Sequence, residues 1–151
     1  MSTILERIQT DMVKAMKEKD ADTLSTLRML KSALMEAKTS KPKDAAFSED
    51  EAIEVLQRYI KKRRETIELN VQHGRADLNV QEEREIVITQ TFLPEPVSEE
   101  QLRAIVTEAV ASTGAAGPKD MGKVIGAVMT QVKGRAEGSA VSRLVKEALA
   151  G

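Results

Sequence analysis

Residues Gly117 to Val124 read GPKDMGKV, which fills seven of the eight places of the phosphate-cradling loop G-x-x-x-x-G-K-[ST] and puts valine where the hydroxyl belongs. A working loop of that kind joins a strand to a helix inside a parallel sheet, and its hydroxyl ligates magnesium. A true match makes the chain an α/β nucleotide hydrolase; a false one makes the same residues the start of a helix. No strand leads into Gly117, Val124 offers no oxygen, and no strand end supplies an acid for the metal. Met121, Val124, Ile125, Val128 and Val132 follow instead at helical spacing.

Helical spacing continues in both directions. After the Gly134 to Gly138 break come Val141, Leu144, Val145, Ala148 and Leu149; before the Gly114 to Pro118 break come Leu102, Ile105, Val106, Ala109 and Val110. Ser98-Glu-Glu-Gln101 is a capping box, in which hydroxyl and carboxamide each satisfy an orphan amide. Pro94-Glu-Pro96 cannot continue a helix and stiffens the chain, so it marks a boundary between residues 1–93 and 97–151.

Upstream, Ile4, Leu5, Ile8, Met12 and Met16 form one stripe, and Leu24, Leu27, Leu30, Leu34 and Ala37 form another after a cap at Asp20 or Asp22. These two predict an antiparallel pair. Lys38 to Phe47 has Pro42 and no period, hence a loop; Ser48-Glu-Asp-Glu51 is a further capping box. The long helix behind it carries Ile53, Leu56, Ile60, Arg63, Ile67 and Val71, and ends near His73-Gly74. Arg63 lies on the apolar side, so its stem should be buried and its head paired. A fourth helix spans about Ala76 to Thr91, because the strand-like Ile86-Val-Ile-Thr89 has no ladder partner. The fold class is all-α: a four-helix N-terminal domain followed by a small three-helix C-terminal bundle.

Composition narrows the chemistry. There is no cysteine and one histidine, so disulfides, thiolate nucleophiles and Cys-ligated metals are excluded. No run of about 18 apolar residues occurs, and the charged N-terminus has neither signal-peptide nor transit-peptide character, which together predict a cytoplasmic protein with no membrane partner. With 23 basic and 24 acidic residues, the chain is no polycation for coating DNA. From Lys119 onward, however, six basic residues face three acidic ones. Lys119, Lys123, Gly126, Thr130 and Lys133 fall within about 80° of one another on the helix, opposite the apolar stripe. Gly126 leaves a gap in this basic face through which an RNA phosphate backbone can come close. The competing explanation is a solvated face on which Gly122-x-x-x-Gly126 serves helix packing.

Other candidates are weaker. Lys61-Lys-Arg-Arg64 fans over about 300° and presents no single face. His73 fits a C-cap, and Asp77, Glu82, Glu83 and Glu85 fit a salt-bridged surface beside Arg75 and Arg84. No Ser-His-Asp or Cys-His set assembles, and the methionines read as core filler. Two phenylalanines, one tyrosine and no tryptophan leave little for stacking on bases.

Six segments carry a resemblance: LSTLRMLKSAL (24–34), KKRRETIE (61–68), GRADL (74–78), FLPEPVSEEQL (92–102), KDMGKVIGAVM (119–129) and KGRAEGSAVSRLVKEAL (133–149). With them the chain resembles the YqeY family from end to end, helical proteins related to the C-terminal tail region of GatB, the B subunit of the glutamine-dependent aspartyl/glutamyl-tRNA amidotransferase. Phe92 replaces a common tyrosine and Glu137 a common aspartate. The resemblance implies a connection to tRNA, carried over onto Lys119, Lys123, Lys133 and Arg135, with Gly122, Gly126 and Gly134 allowing close approach. It implies no catalytic residues, metal or cofactor, since the kinase-like cradle and glutaminase site lie outside the shared region. The expectation is a tRNA-binding accessory module that also contacts a tRNA-modifying or aminoacylating protein. The alternatives are a protein-only adaptor, or a component of a carbon-nitrogen ligase with glutamine as amido-N donor, a label that kinship alone would supply.

Overall fold

The structure is a computed structural model that describes residues 2–150. Among them there is no strand, and the elements are α1 (Ile4–Lys17), α2 (Ala21–Thr39), α3 (Glu49–Gln72), α4 (Asn79–Gln90), α5 (Glu99–Thr113), α6 (Met121–Val132) and α7 (Gly138–Ala150). Two short 3-10 turns, Ala76–Leu78 and Pro118–Asp120, precede α4 and α6. The all-helical expectation holds. By their internal contacts the residues divide into Met1–Pro94 and Glu95–Gly151.

Local chemistry starts these helices. Ser48 accepts from the Glu51 amide at 3.1 Å while Glu51 accepts from the Ser48 amide, and Ser98 and Gln101 repeat the exchange at the start of α5. A third capping box, Thr3 with Glu6, opens α1. The α1 amide of Ile4 also donates to both oxygens of Glu49 at 3.2 Å, which ties the start of α1 to the start of α3. Between the two possible caps of α2, Asp20 is the one used: it accepts from the Thr23 amide and hydroxyl, leaving Asp22 to pair with Arg84 of α4 at 2.8 Å. Gly74 takes φ +70 just past the end of α3, the left-handed conformation that favours glycine.

In the N-terminal unit α1 packs on α2 and α3 on α4, with α2 touching both of the latter. Ile8, Leu27, Leu30, Leu34 and Leu56 are sealed in its core, and Tyr59 and Phe92 close it. Three details differ from the sequence stripes. Met16 is 54% exposed and Ala15 takes the inward place, because at 100° per residue position 15 lies about 20° from Ile4 and position 16 about 120°. Val71 is 57% exposed at the edge of the α3 stripe, about 100° from Ala52, while Asn70, in line with Ala52, turns toward α4 and donates to Asn79 at 2.8 Å. Met29 and Met35 are surface residues rather than core filler.

Arg63 behaves as its place on the apolar stripe predicts. Its Nε lies 3.2 Å from Glu85 and 3.4 Å from Glu82, and its guanidinium stacks 4.0 Å above the Tyr59 ring. Tyr59 in turn donates to Glu85 at 3.3 Å. Glu85 is therefore buried, not part of a salt-bridged surface; Asp77 is the acid that does pair at the surface, with Arg75.

The C-terminal unit packs α5, α6 and α7 against one another around Leu102, Val106, Val124, Val128, Val132, Val141, Leu144 and Val145, with no aromatic ring in the buried set. Its rim is a ring of alternating charge between α5 and α7. Arg143 reaches Glu99 at 2.8 Å and Glu147 at 3.5 Å, and Arg103 reaches the same two acids at 3.5 and 3.2 Å.

Candidate nucleic-acid interface

The GPKDMGKV stretch is not a phosphate cradle. Gly117 is extended at φ −174, Pro118–Asp120 makes one tight turn, and α6 begins at Met121. The amide of Ala116 donates to the Asp120 carboxylate at 2.9 Å, so a negative group of the protein's own occupies the place where a cradle would receive phosphate. Val124, at the position of the missing hydroxyl, is a fully buried core residue.

The outward side of α6 comprises Gly122, Lys123, Gly126 and Thr130, all exposed. A Cβ added at Gly122 or Gly126 would meet nothing within 4 Å. No helix of the bundle leans on these glycines, so close packing inside the bundle does not explain them. The Thr130 hydroxyl folds back onto the Gly126 carbonyl at 2.9 Å, which keeps the middle of this face low and smooth. Lys119 is exposed on the turn just before α6, one step N-terminal to Lys123. Neither lysine has a hydrogen bond or ion pair among the described residues.

Lys133, Gly134 and Arg135 lie at the other end of α6, where the helix has already stopped, and each has structural work. Lys133 is half-buried and engaged within the protein. Gly134 is buried at φ +78, so its identity answers to the turn between α6 and α7. Arg135 fastens the lead-in to the bundle: its Nε donates to the Glu95 carbonyl at 3.0 Å and its own carbonyl accepts from the Val97 amide at 2.8 Å. The seven candidate residues thus fall in two clusters, an open one at Lys119–Gly126 and a tied one at Lys133–Arg135. Helical spacing groups Lys119, Lys123, Gly126 and Lys133, and the resemblance adds Gly122, Gly134 and Arg135; because α6 ends at Val132, Lys133, Gly134 and Arg135 belong to the turn that follows it.

Charge elsewhere on the bundle is largely spoken for. The Arg143 hydrogen bond and charge hold the Glu99 carboxyl below its ordinary range, and Glu99 correspondingly raises Arg143. Of the basic residues from Lys119 onward, those without a partner among the described residues are Lys119, Lys123 and Lys146. In the N-terminal unit, burial raises the Tyr59 phenol, reinforced by Glu85. Burial works against the Arg63 charge, yet Tyr59, Glu85 and Glu82 outweigh it and raise its pKa. His73 is the C-cap residue of α3, and no group of three or more acidic or histidine side chains among the described residues is arranged to hold a metal.

Sequence reasoning passed over the Tyr59–Arg63–Glu85 contact. Arg63 on an apolar stripe announces a partner, and Tyr59 stands four residues earlier on the same face, but Glu85 is identified only once α3 and α4 are in register.

Two comparisons bear on this geometry. The family model described as Yqey-like protein matches residues 5–149. Among curated proteins, the chain is 30% identical over 151 residues to "Altered inheritance of mitochondria protein 41, mitochondrial" of Pyrenophora tritici-repentis (strain Pt-1C-BFP), an alignment covering 97% of this chain and 81% of that protein.

Proposed function

We propose, from the premise that the chain belongs to the YqeY-like family, that it is a tRNA-binding accessory protein whose C-terminal bundle grips the RNA backbone through the outward face of α6. The observation that carries this proposal is the pairing of two unpartnered lysines, Lys119 and Lys123, with two exposed glycines, Gly122 and Gly126, that no part of the bundle uses for packing. Interior glycine costs a helix roughly 1 kcal/mol relative to alanine. Glycine on a basic, solvent-facing helix surface lets a phosphate chain approach the helix backbone while the lysines neutralise it. Lys133 and Arg135 extend the surface across the turn. The scarcity of aromatic side chains favours recognition of shape and phosphate over base reading.

The proposal assigns no chemistry to the chain: among the described residues no group of three or more acidic or histidine side chains could hold a metal, and incubated alone with glutamine and charged tRNA the protein is expected to release no glutamate. No helix among the described residues is long and apolar enough to cross a membrane. The cysteine-free composition suits the reducing cytoplasm, and the relative's name makes mitochondria the other tRNA-bearing compartment for a tagged protein to distinguish.

The test is fluorescence anisotropy of labelled tRNA against purified protein over a salt series. Contact with three phosphates of unpaired RNA gives a log-log salt slope of about −2 at roughly 0.7 per phosphate. Lys119→Ala/Lys123→Ala should weaken binding and bring the slope about 1.4 closer to zero, while Lys146→Ala leaves both unchanged. Binding without salt dependence, or equal loss in the Lys146 control, would overturn the proposal.

A further inference from the structure

The arginines of this protein are almost all occupied. Arg7 donates to the Thr91 carbonyl, Arg63 holds Glu85, Arg75 holds Asp77 and Arg84 holds Asp22. Arg103 and Arg143 share Glu99 and Glu147, Arg135 holds the Glu95 carbonyl, and Arg64 is engaged. Among the described residues two have no partner, Arg28 on α2 and Arg58 on α3, and both line the same trough.

That trough runs between α2 and α3 in two lobes that share Ala33, Glu36 and Tyr59. One lobe is about 330 Å³ and carries Arg58 and Lys62 with Ala37 and Val55; the other is about 450 Å³ and carries Arg28 and Met29. The floor is low and apolar. Ala33 and Ala37 stand one helical turn apart, which permits a second helix to come close, and Met29 is left 42% exposed beside them. Methionine at a surface groove is an adaptable apolar contact. Three cations, Arg28, Arg58 and Lys62, stand over this floor against one anion, Glu36.

We propose that the α2–α3 trough docks an acidic amphipathic helix of a partner protein. Its apolar residues would seat on Ala33, Ala37 and Met29, and its carboxylates would meet Arg28, Arg58 and Lys62, the helix-in-groove mode with charge complementarity at the rim. RNA fits this trough less well. The one aromatic ring present, Tyr59, is capped on a face by Arg63 at 4.0 Å and pinned by its hydroxyl to Glu85, so it offers no free stacking platform, and a phosphate chain bonded to the three cations would leave the apolar floor of Ala33, Ala37 and Met29 without a matching surface. The surface belongs to the N-terminal unit and stands independently of the RNA-facing surface proposed for the C-terminal bundle.

The probe is a fluorescein-labelled synthetic helix with leucines along one face and glutamates on its flanks, beside a counterpart with lysine at every glutamate. The full-length protein should bind the acidic peptide at least tenfold tighter than the basic one. Arg58→Glu/Lys62→Glu, two exposed positions, should reverse that order. Ser32→Trp, which keeps every charge and fills a lobe, should cost about tenfold. Circular dichroism confirms the fold of each variant. The proposal is overturned by any of three outcomes: no saturable binding of the acidic peptide below about 1 mM; equal binding of both peptides; or loss of tRNA binding, in place of peptide binding, in Arg58→Glu/Lys62→Glu, which would make the trough an RNA surface.

Discussion

Replacing Gly126 with alanine separates the two explanations of the α6 face, because they predict opposite signs for stability. Gly126 lies in the interior of a helix, and a Cβ built there meets no atom within 4 Å. The substitution therefore gains helix propensity at no steric cost, about 0.8–1.0 kcal/mol. If the unit Glu95–Gly151 unfolds on its own, a gain of that size raises its Tm by roughly 4–8 °C. Binding should move the other way. A methyl group between the helix backbone and a phosphate chain forces the RNA outward and weakens one charge-assisted contact, on the order of 1.4 kcal/mol or tenfold in Kd. Differential scanning calorimetry reads the first effect and anisotropy on tRNA the second. Gly122→Ala, in the first turn of α6, should repeat both with a smaller stability gain, since early positions contribute fewer intrahelical bonds. A fall in Tm would show that the space above Gly126 is filled in the folded protein and that packing is the reason for the glycine. A rise in Tm with unchanged tRNA affinity would refute the close-approach argument while leaving the fold as described.

Arg63→Met strips the cation from Glu85, which is buried, and from Glu82, and should destabilise the N-terminal unit by about 3–5 kcal/mol at pH 7. Adding Glu85→Gln should recover part of that loss in urea titrations; a cost below about 1 kcal/mol, or no recovery, would show the cluster contributes little. Acid should weaken the fold at identifiable sites. Hydrogen bonds from Lys41 and Arg143 lower Glu51 and Glu99 below their ordinary 4.5, so in the folded state these carboxylates bind fewer protons than in the unfolded chain. Their contribution is complete above pH 4.5 and is lost as pH falls through the lowered folded values. Tm should therefore hold level from pH 7 to about 5 and decline below it, less steeply in Lys41→Met/Arg143→Met. Parallel pH profiles for the variant and the parent would refute the assignment.

The helices and both cores were legible in the sequence because the features that set them are local. A capping box needs residues three apart, and an apolar stripe needs one period, so Ser48–Glu51, Ser98–Gln101 and the Val124–Val128–Val132 seam stand out before any tertiary contact is known. What local pattern handled poorly was the last stretch of each stripe. Met16 and Val71 are apolar residues at permissible spacings, yet both fall roughly 90–100° from the centre of the buried face, and only the packing of α1 on α2 and α3 on α4 shows that Ala15 and Asn70 face in. Glu85 illustrates a second limit: four acids in one segment look alike until α3 presents Arg63 to one of them.

The candidate sites follow the same division. That Lys119 and Lys123 point outward was readable from period alone, but the lysines could not be distinguished from any solvated face until the glycines between them proved to have open space above. For Arg28 and Arg58 the sequence carries no signal, since a basic residue on a helix surface is the commonest thing a helix displays. Their significance arises by subtraction: once Asp22, Asp77, Glu85, Glu99 and Glu147 are seen to pair with other arginines, the two left over share one trough with an apolar floor. A chain with 23 basic and 24 acidic residues has enough acid to neutralise every cation. Unpartnered lysines also stand elsewhere among the described residues, Lys14, Lys61 and Lys146 for example; what sets these two groups apart is the ground beneath them, smooth and glycine-lined at Lys119 and Lys123, grooved and apolar at Arg28, Arg58 and Lys62, which would suit a phosphate chain in the first case and a folded acidic segment in the second.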